Sequence, residues 1–323
     1  MKDRLKWIDL SKGIGMMLVV IGHTGIYHSF PFFYNWIYSF HMPLFYFISG
    51  FLYNSNKYSN NVKRFLQHRW KSLGIPYITL NCAVYILLKT LDIPSINAPH
   101  SSTIVIGVLA MYFIRVLLIT ELWFIFLQVL LRSKTRILIA SLVIISVSLF
   151  IKSEMHITWG LSIEPLNITM ILPSWPLFYF VIGYILKNKI ISGSKAISTN
   201  LLIILTAATF IISFFQIYLD IANCIYFSGI GIAFIFLLSF LLEKYDTIIG
   251  YRNVINDLLI YIGKNTLVIV AFHQIIYNGL KIFTLKYNFQ YESLFRMLVT
   301  WILLLIIIKI INRYLPFIVG KTN

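Results

Sequence analysis

The chain has 323 residues, of which 59% are hydrophobic and only 12% charged, with a formal net charge of +16. This composition excludes an ordinary soluble domain and gives an integral membrane protein, because apolar runs long enough to span a bilayer recur along the whole length. The positive charge does not mark a nucleic-acid partner, since the basic residues alternate between loops instead of massing in one patch.

The hydrophobic pattern predicts an all-α, polytopic membrane protein. About ten transmembrane helices form one bundle over residues 1–323: 8–27, 35–53, 73–91, 112–131, 136–151, 171–187, 199–219, 223–242, 264–283 and 293–314. With both termini cytoplasmic, only Lys89, Arg115, Lys152, Lys281, Lys286 and Arg296 of the 27 Lys and Arg fall outside, and this bias sets the orientation. Anionic membrane lipids are further partners for the inner charges. Cys82 and Cys224 fall in separate apolar segments, so buried inert thiols are expected instead of a disulfide.

The first span, IDLSKGIGMMLVVIGHTGIY, carries Asp9 and Lys12 at one end and His23 near the other. An α-helix turns about 20° beyond three full turns over eleven residues and rises about 16 Å, so Lys12 and His23 share one face. Ionisable groups at such depth face protein or water-filled cavities and are functional candidates. The bland alternatives are a snorkelling lysine and a histidine that bridges two helices. Asp9, one turn before Lys12, is spaced to hold its side chain.

Further along, the second span puts His41 at a depth similar to that of His23, with Pro43 as a kink site. The loop 54–72 then holds the densest basic cluster, including Arg64, Arg69 and Lys71, and Pro76 falls in the first turn of the next helix. Glu121 and Trp123 sit within the fourth span. Glu154, His156, Trp159, Glu164 and Asn167 give the longest outer loop a polar and aromatic mixture suited to a carbohydrate. Segment 243–264 contains VINDLLIYIGK, a short surface or re-entrant helix, and His273 lies near mid-membrane in the ninth span.

GIGMML at Gly13 and GIGIAF at Gly229 look like fragments of phosphate loops but follow no strand, so close packing through small residues explains them better. No P-loop, His-Glu-x-x-His or G-x-S-x-G pattern occurs, and no metal site is expected from the three intramembrane histidines.

Taken in order, these segments resemble the acyltransferase 3 family, most closely its fucose 4-O-acetylase-like branch. The resemblance rests on Ile8, Asp9, Lys12 and His23, with lysine where many members carry arginine; on FHMPLF through Ser49, Gly50 and Phe51; on LWF at Leu122 to Phe124; on PLFYFVIGYILK; and on IGKNTLVIV through His273 and Gln274. The family often has two arginines three apart before the Pro of the third helix; here Arg69 fits and Ser72 occupies the second place. The resemblance implies an O-acyltransferase of the bacterial inner membrane that binds no cofactor. It uses acetyl-CoA as donor and a hydroxyl of a surface glycan or a lipid-linked sugar as acceptor.

In that setting His23 is the expected catalytic base, or the carrier of an acetyl-imidazole, with Asp9 as its catalytic companion. Lys12, Arg64, Arg69 and Lys71 are expected to grip the donor phosphates. His41, Glu121, Trp123 and His273 are expected to line the acceptor site. A transporter or glycan exporter is the rival class, because buried histidines and carboxylates also serve proton relays.

Overall fold

The computed structural model describes residues 5–27, 29–58, 61–90, 111–159, 173–218, 228–249, 253–286 and 292–320, with side chains of 152–159, 195, 218, 249 and 285–286 left aside. The described elements are helical throughout. They are α1 (Lys6–Gly22), α2 (Pro31–Leu52), the short α3 (Ser55–Tyr58), α4 (Val62–Arg69), a π-helical turn (Trp70–Gly74) and α5 (Ile75–Thr90). Then follow α6 (Tyr112–Leu131), α7 (Lys134–Trp159), α8 (Ser174–Ala196), α9 (Thr199–Tyr218), α10 (Gly229–Ile249), α11 (Val254–Lys264), α12 (Thr266–Lys286), α13 (Glu292–Tyr314) and a final 3₁₀ turn (Pro316–Val319). Glu154, His156 and Trp159, expected in the longest outer loop, are instead in the last turns of α7, and their side chains, like Glu164, Asn167 and Cys224, lie outside what the structure describes.

The long helices coincide with the expected spans. The run from Val62 to Thr90, α6, α7, α9, α12 and α13 contain six segments long and apolar enough to cross a membrane. Their outward faces carry large exposed apolar side chains, such as Leu142, Val143 and Phe150 on α7 and Ile302 and Ile306 on α13, as contact with lipid requires. On the same α13 run Leu304 and Ile308 are fully buried, so only one face of that segment is available to lipid.

Helices α1, α2, α8 and α10 form the interior, and glycines set their spacing. A Cβ at Gly50 would lie 1.9 Å from the Phe180 carbonyl oxygen, and one at Gly183 would lie 2.1 Å from that of Phe47, so α2 and α8 touch backbone to backbone. Gly13 meets Leu259 in the same manner and Gly263 meets Asp9, which locks α11 against the first half of α1. The GIGMML glycine Gly13 therefore serves helix packing, as expected, whereas in GIGIAF it is Gly231, against Phe40, that packs closely and Gly229 meets nothing within 4 Å. Trp7 closes this end through edge contacts with Phe51, Phe236 and Phe240.

Two prolines shape the helices that reach the site. Pro43 in α2 cannot donate to the carbonyl of Ser39, and the Ser228 hydroxyl takes that carbonyl instead. Pro76 likewise cannot donate to Ser72, and the turn just before it opens into the π-helical segment instead of starting a new helix. The basic stretch expected as a loop is thus largely helical: α4 runs on through the π turn into α5, carrying Arg69 with it.

Candidate active site

The first helix ends at Gly22, five residues before the end of the apolar run 8–27. Gly25 adopts φ +74°, in the left-handed region that glycine tolerates, and the Thr24 hydroxyl caps the Ile21 carbonyl. His23 therefore stands at the C-cap, outside the helix proper; its φ of −89° and ψ of −2° keep it in register with the face that bears Lys12.

At that point three helices bring imidazoles together. The His23 and His273 rings lie 5.1 Å apart, centroid to centroid. Tyr38 stands between His23 and His41: its hydroxyl is 3.2 Å from His23 Nδ1, and its ring is 4.7 Å from that of His41. Gln274 Nε2 lies 3.1 Å from His23 Nε2. His41 Nδ1 is 3.0 Å from the Ile37 carbonyl and His273 Nδ1 is 2.7 Å from that of Ile269. A carbonyl only accepts, so in both rings Nδ1 carries the proton and donates, which leaves Nε2 of the neutral ring as an acceptor. Nε2 of His273 is buried without a hydrogen-bond partner among the described residues.

These groups line a cavity of about 50 Å³, completed by Tyr112 and by the apolar side chains of Met16, Val19, Met42, Phe45, Phe113 and Val270. The lining is thus partly polar and partly apolar. Sequence reasoning found His23, His41 and His273 but gave no role to Tyr38, Gln274 or Tyr112. The signal for Tyr38 was its position one turn before His41, and for Gln274 its amide beside His273 in an apolar run.

The other site candidates gather elsewhere. Asp9 pairs with Lys12 at 2.9 Å, the lysine side chain one-fifth exposed and the carboxylate buried. Asp9 lies about 21 Å from His23 along α1, so it holds Lys12 and does not reach the imidazole. Arg69 pairs with Glu121 at 2.7 Å. Glu121 and Trp123 therefore do not line the histidine cavity: α6 meets that cavity at Tyr112, and nine further residues carry Glu121 about 13 Å away along the axis. Trp123 packs on the aromatic cluster of Tyr53, Phe65, Phe124 and Phe180. Arg64 and Lys71 are exposed, and the backbone N–H of Arg64 donates to Asn61 as part of the α4 cap.

The cavity does not extend to Lys12. Its α1 lining ends at Met16, with Phe45 beside it. Between the Lys12–Asp9 pair and His23, α1 presents the buried side chains of Met16, Val19 and Val20.

The bundle thus brings three imidazoles from three helices to one small cavity. A family model described as an acyltransferase domain matches residues 5–312, nearly the whole chain. The protein belongs to this family, the acyltransferase 3 family, and is a membrane acyltransferase. No curated protein and no solved structure matches the chain.

Proposed function

We propose that the protein moves an acetyl group from cytoplasmic acetyl-CoA to a hydroxyl of a surface glycan or its lipid-linked precursor, in a bacterial inner membrane. The observation that carries this reading is the convergence of His23, His41 and His273 with Tyr38 and Gln274 on one buried cavity. Acyl transfer to an alcohol needs a base at the hydroxyl and donors for the oxyanion that forms at the thioester carbon. In the neutral tautomer that donates Nδ1–H to the Tyr38 hydroxyl, His23 keeps the Nε2 lone pair for the acceptor proton. The Gln274 amide, now beside that nitrogen, supplies an N–H for the oxyanion once the hydroxyl has replaced it. The unpaired Nε2 of His273 accepts from a substrate hydroxyl or amide. An acetyl-imidazole on His23 is the two-step form of the same transfer, and label retained on the protein without acceptor distinguishes it.

At the opposite end Lys12, fixed by Asp9, together with Arg69, Arg64 and Lys71, gives the donor phosphates charge-assisted contacts. The rise of about 16 Å from Lys12 to His23 suits an extended pantetheine arm. Lysine presents a point charge where arginine would present a fork, so the grip orients the phosphate less. Purified protein given radiolabelled acetyl-CoA and glycan acceptors is expected to label the glycan, and no labelled product from any acceptor overturns the reading. In the same assay Lys12→Ala is expected to raise the apparent KM for acetyl-CoA about tenfold or more, from about 1.5–3 kcal/mol for a lost bond to a charged group, with kcat little changed.

A further inference from the structure

We infer that Phe45 and Phe113 set an upper limit on the length of the acyl group, so that the site takes acetyl or propionyl and rejects longer chains. This rests on the acyl-transfer reading above and concerns the apolar lining of the same cavity.

The polar lining is committed to the reacting atoms, because His23, His41, His273 and Gln274 are the groups that address a carbonyl and a hydroxyl. The alkyl part of the acyl group is left with the apolar lining. That lining is of two kinds. Met16 and Met42 are unbranched and adapt their shape, so they can part for an incoming donor arm. Phe45 and Phe113 cannot yield in this way. Phe45 is seated against the bare backbone of Gly15, where an added Cβ would lie 3.3 Å from its ring. Its ring meets Phe113 edge-on at 5.9 Å, and Phe113 in turn packs on Tyr46 at 5.2 Å. Tyr46 is 1% and Phe45 8% exposed, so the inner part of the ring stack has no open side into which to retreat, while Phe113 is partly buried.

The available space then decides the outcome. A cavity of about 50 Å³ holds roughly three to five water-sized probes. That is room for a short acyl group beside the imidazole and not for a hexanoyl chain, whose extra carbons would have to displace the locked rings. Overfilling a packed site of this kind is unfavourable, and a hydrophobic pocket discriminates a single methylene by roughly 10- to 200-fold.

The test measures kcat/KM with acetyl-, propionyl-, butyryl- and hexanoyl-CoA on the full-length protein, with Phe113→Ala and Val270→Ala alongside. Wild-type protein is expected to lose at least about tenfold between acetyl- and hexanoyl-CoA. Phe113→Ala is expected to raise the hexanoyl-to-acetyl ratio about tenfold, and Val270→Ala to raise it less. Wild-type protein that uses hexanoyl-CoA as well as acetyl-CoA overturns the limit while leaving acyl transfer intact. An unchanged ratio in a folded Phe113→Ala protein also overturns it, and if that variant fails to fold, the wild-type series and Val270→Ala still decide. Absence of transfer from every donor overturns the acyl-CoA reading itself, and the limit with it.

Discussion

Replacing His23 by alanine is expected to lower the rate of acyl transfer by about 10²- to 10⁴-fold, the usual contribution of a positioned general base. The loss should appear in kcat with little change in the KM for the donor, because Lys12 stands at the other end of α1. The thermal transition of the purified protein should stay close to that of wild type. His23 lies beyond the last residue of the helix, and its side chain borders a cavity, so truncation leaves most packing contacts in place. Tyr38→Phe, which removes the hydroxyl that orients the ring, is expected to cost less than His23→Ala. Transfer within a few-fold of wild type in a folded His23→Ala protein would exclude the imidazole from the chemistry.

A second large effect is expected from Gly183→Leu. A Cβ there would fall 2.1 Å from the Phe47 carbonyl and 3.1 Å from the Phe51 amide nitrogen, and backbone cannot rotate aside as a side chain does. Helices α2 and α8 would have to separate, which displaces the segment of α2 that carries His41 and Phe45. Overpacking of a close-packed contact costs about 1–3 kcal/mol and sometimes more, so a clear fall in melting temperature and in yield of folded protein is expected. Gly193→Ala and Gly229→Ala serve as controls, because a Cβ at either position meets nothing within 4 Å. Unchanged stability of Gly183→Leu alongside those controls would show that the two helices are not held backbone to backbone.

Much of the fold was legible because membrane spans are written as apolar runs, and the long helices fall where those runs lie. The three histidines stood out for the same reason, as titratable side chains in segments otherwise suited to lipid. Asp9 was readable as the partner of Lys12 from their three-residue spacing, and the structure pairs them. Glu121 was not readable as the partner of Arg69, because the two residues are 52 positions apart on separate helices and nothing local in either segment records the meeting. Depth was the weaker inference throughout: a residue count along α6 does not say which turn faces which neighbour. The π turn at Trp70–Gly74 was hidden because Pro76 permits either a new helix start or an opened turn, and only the continuation of α4 into α5 decides between them. Gln274 and Tyr38 carry no charge, so nothing in their own segments marks a role for either, although Gln274 falls within the family motif.

The packing of Met16, Val19 and Val20 between the ammonium of Lys12 and the ring of His23 bears on the membrane as well as on the reaction. A membrane protein that carries polar groups at both ends of one helix risks becoming a leak for protons and ions. Here the buried side chains of Met16, Val19, Val20 and Phe45 close the stretch of α1 between its two ends. On this face of α1 the protein therefore holds packed apolar side chains where an open channel would let ions through.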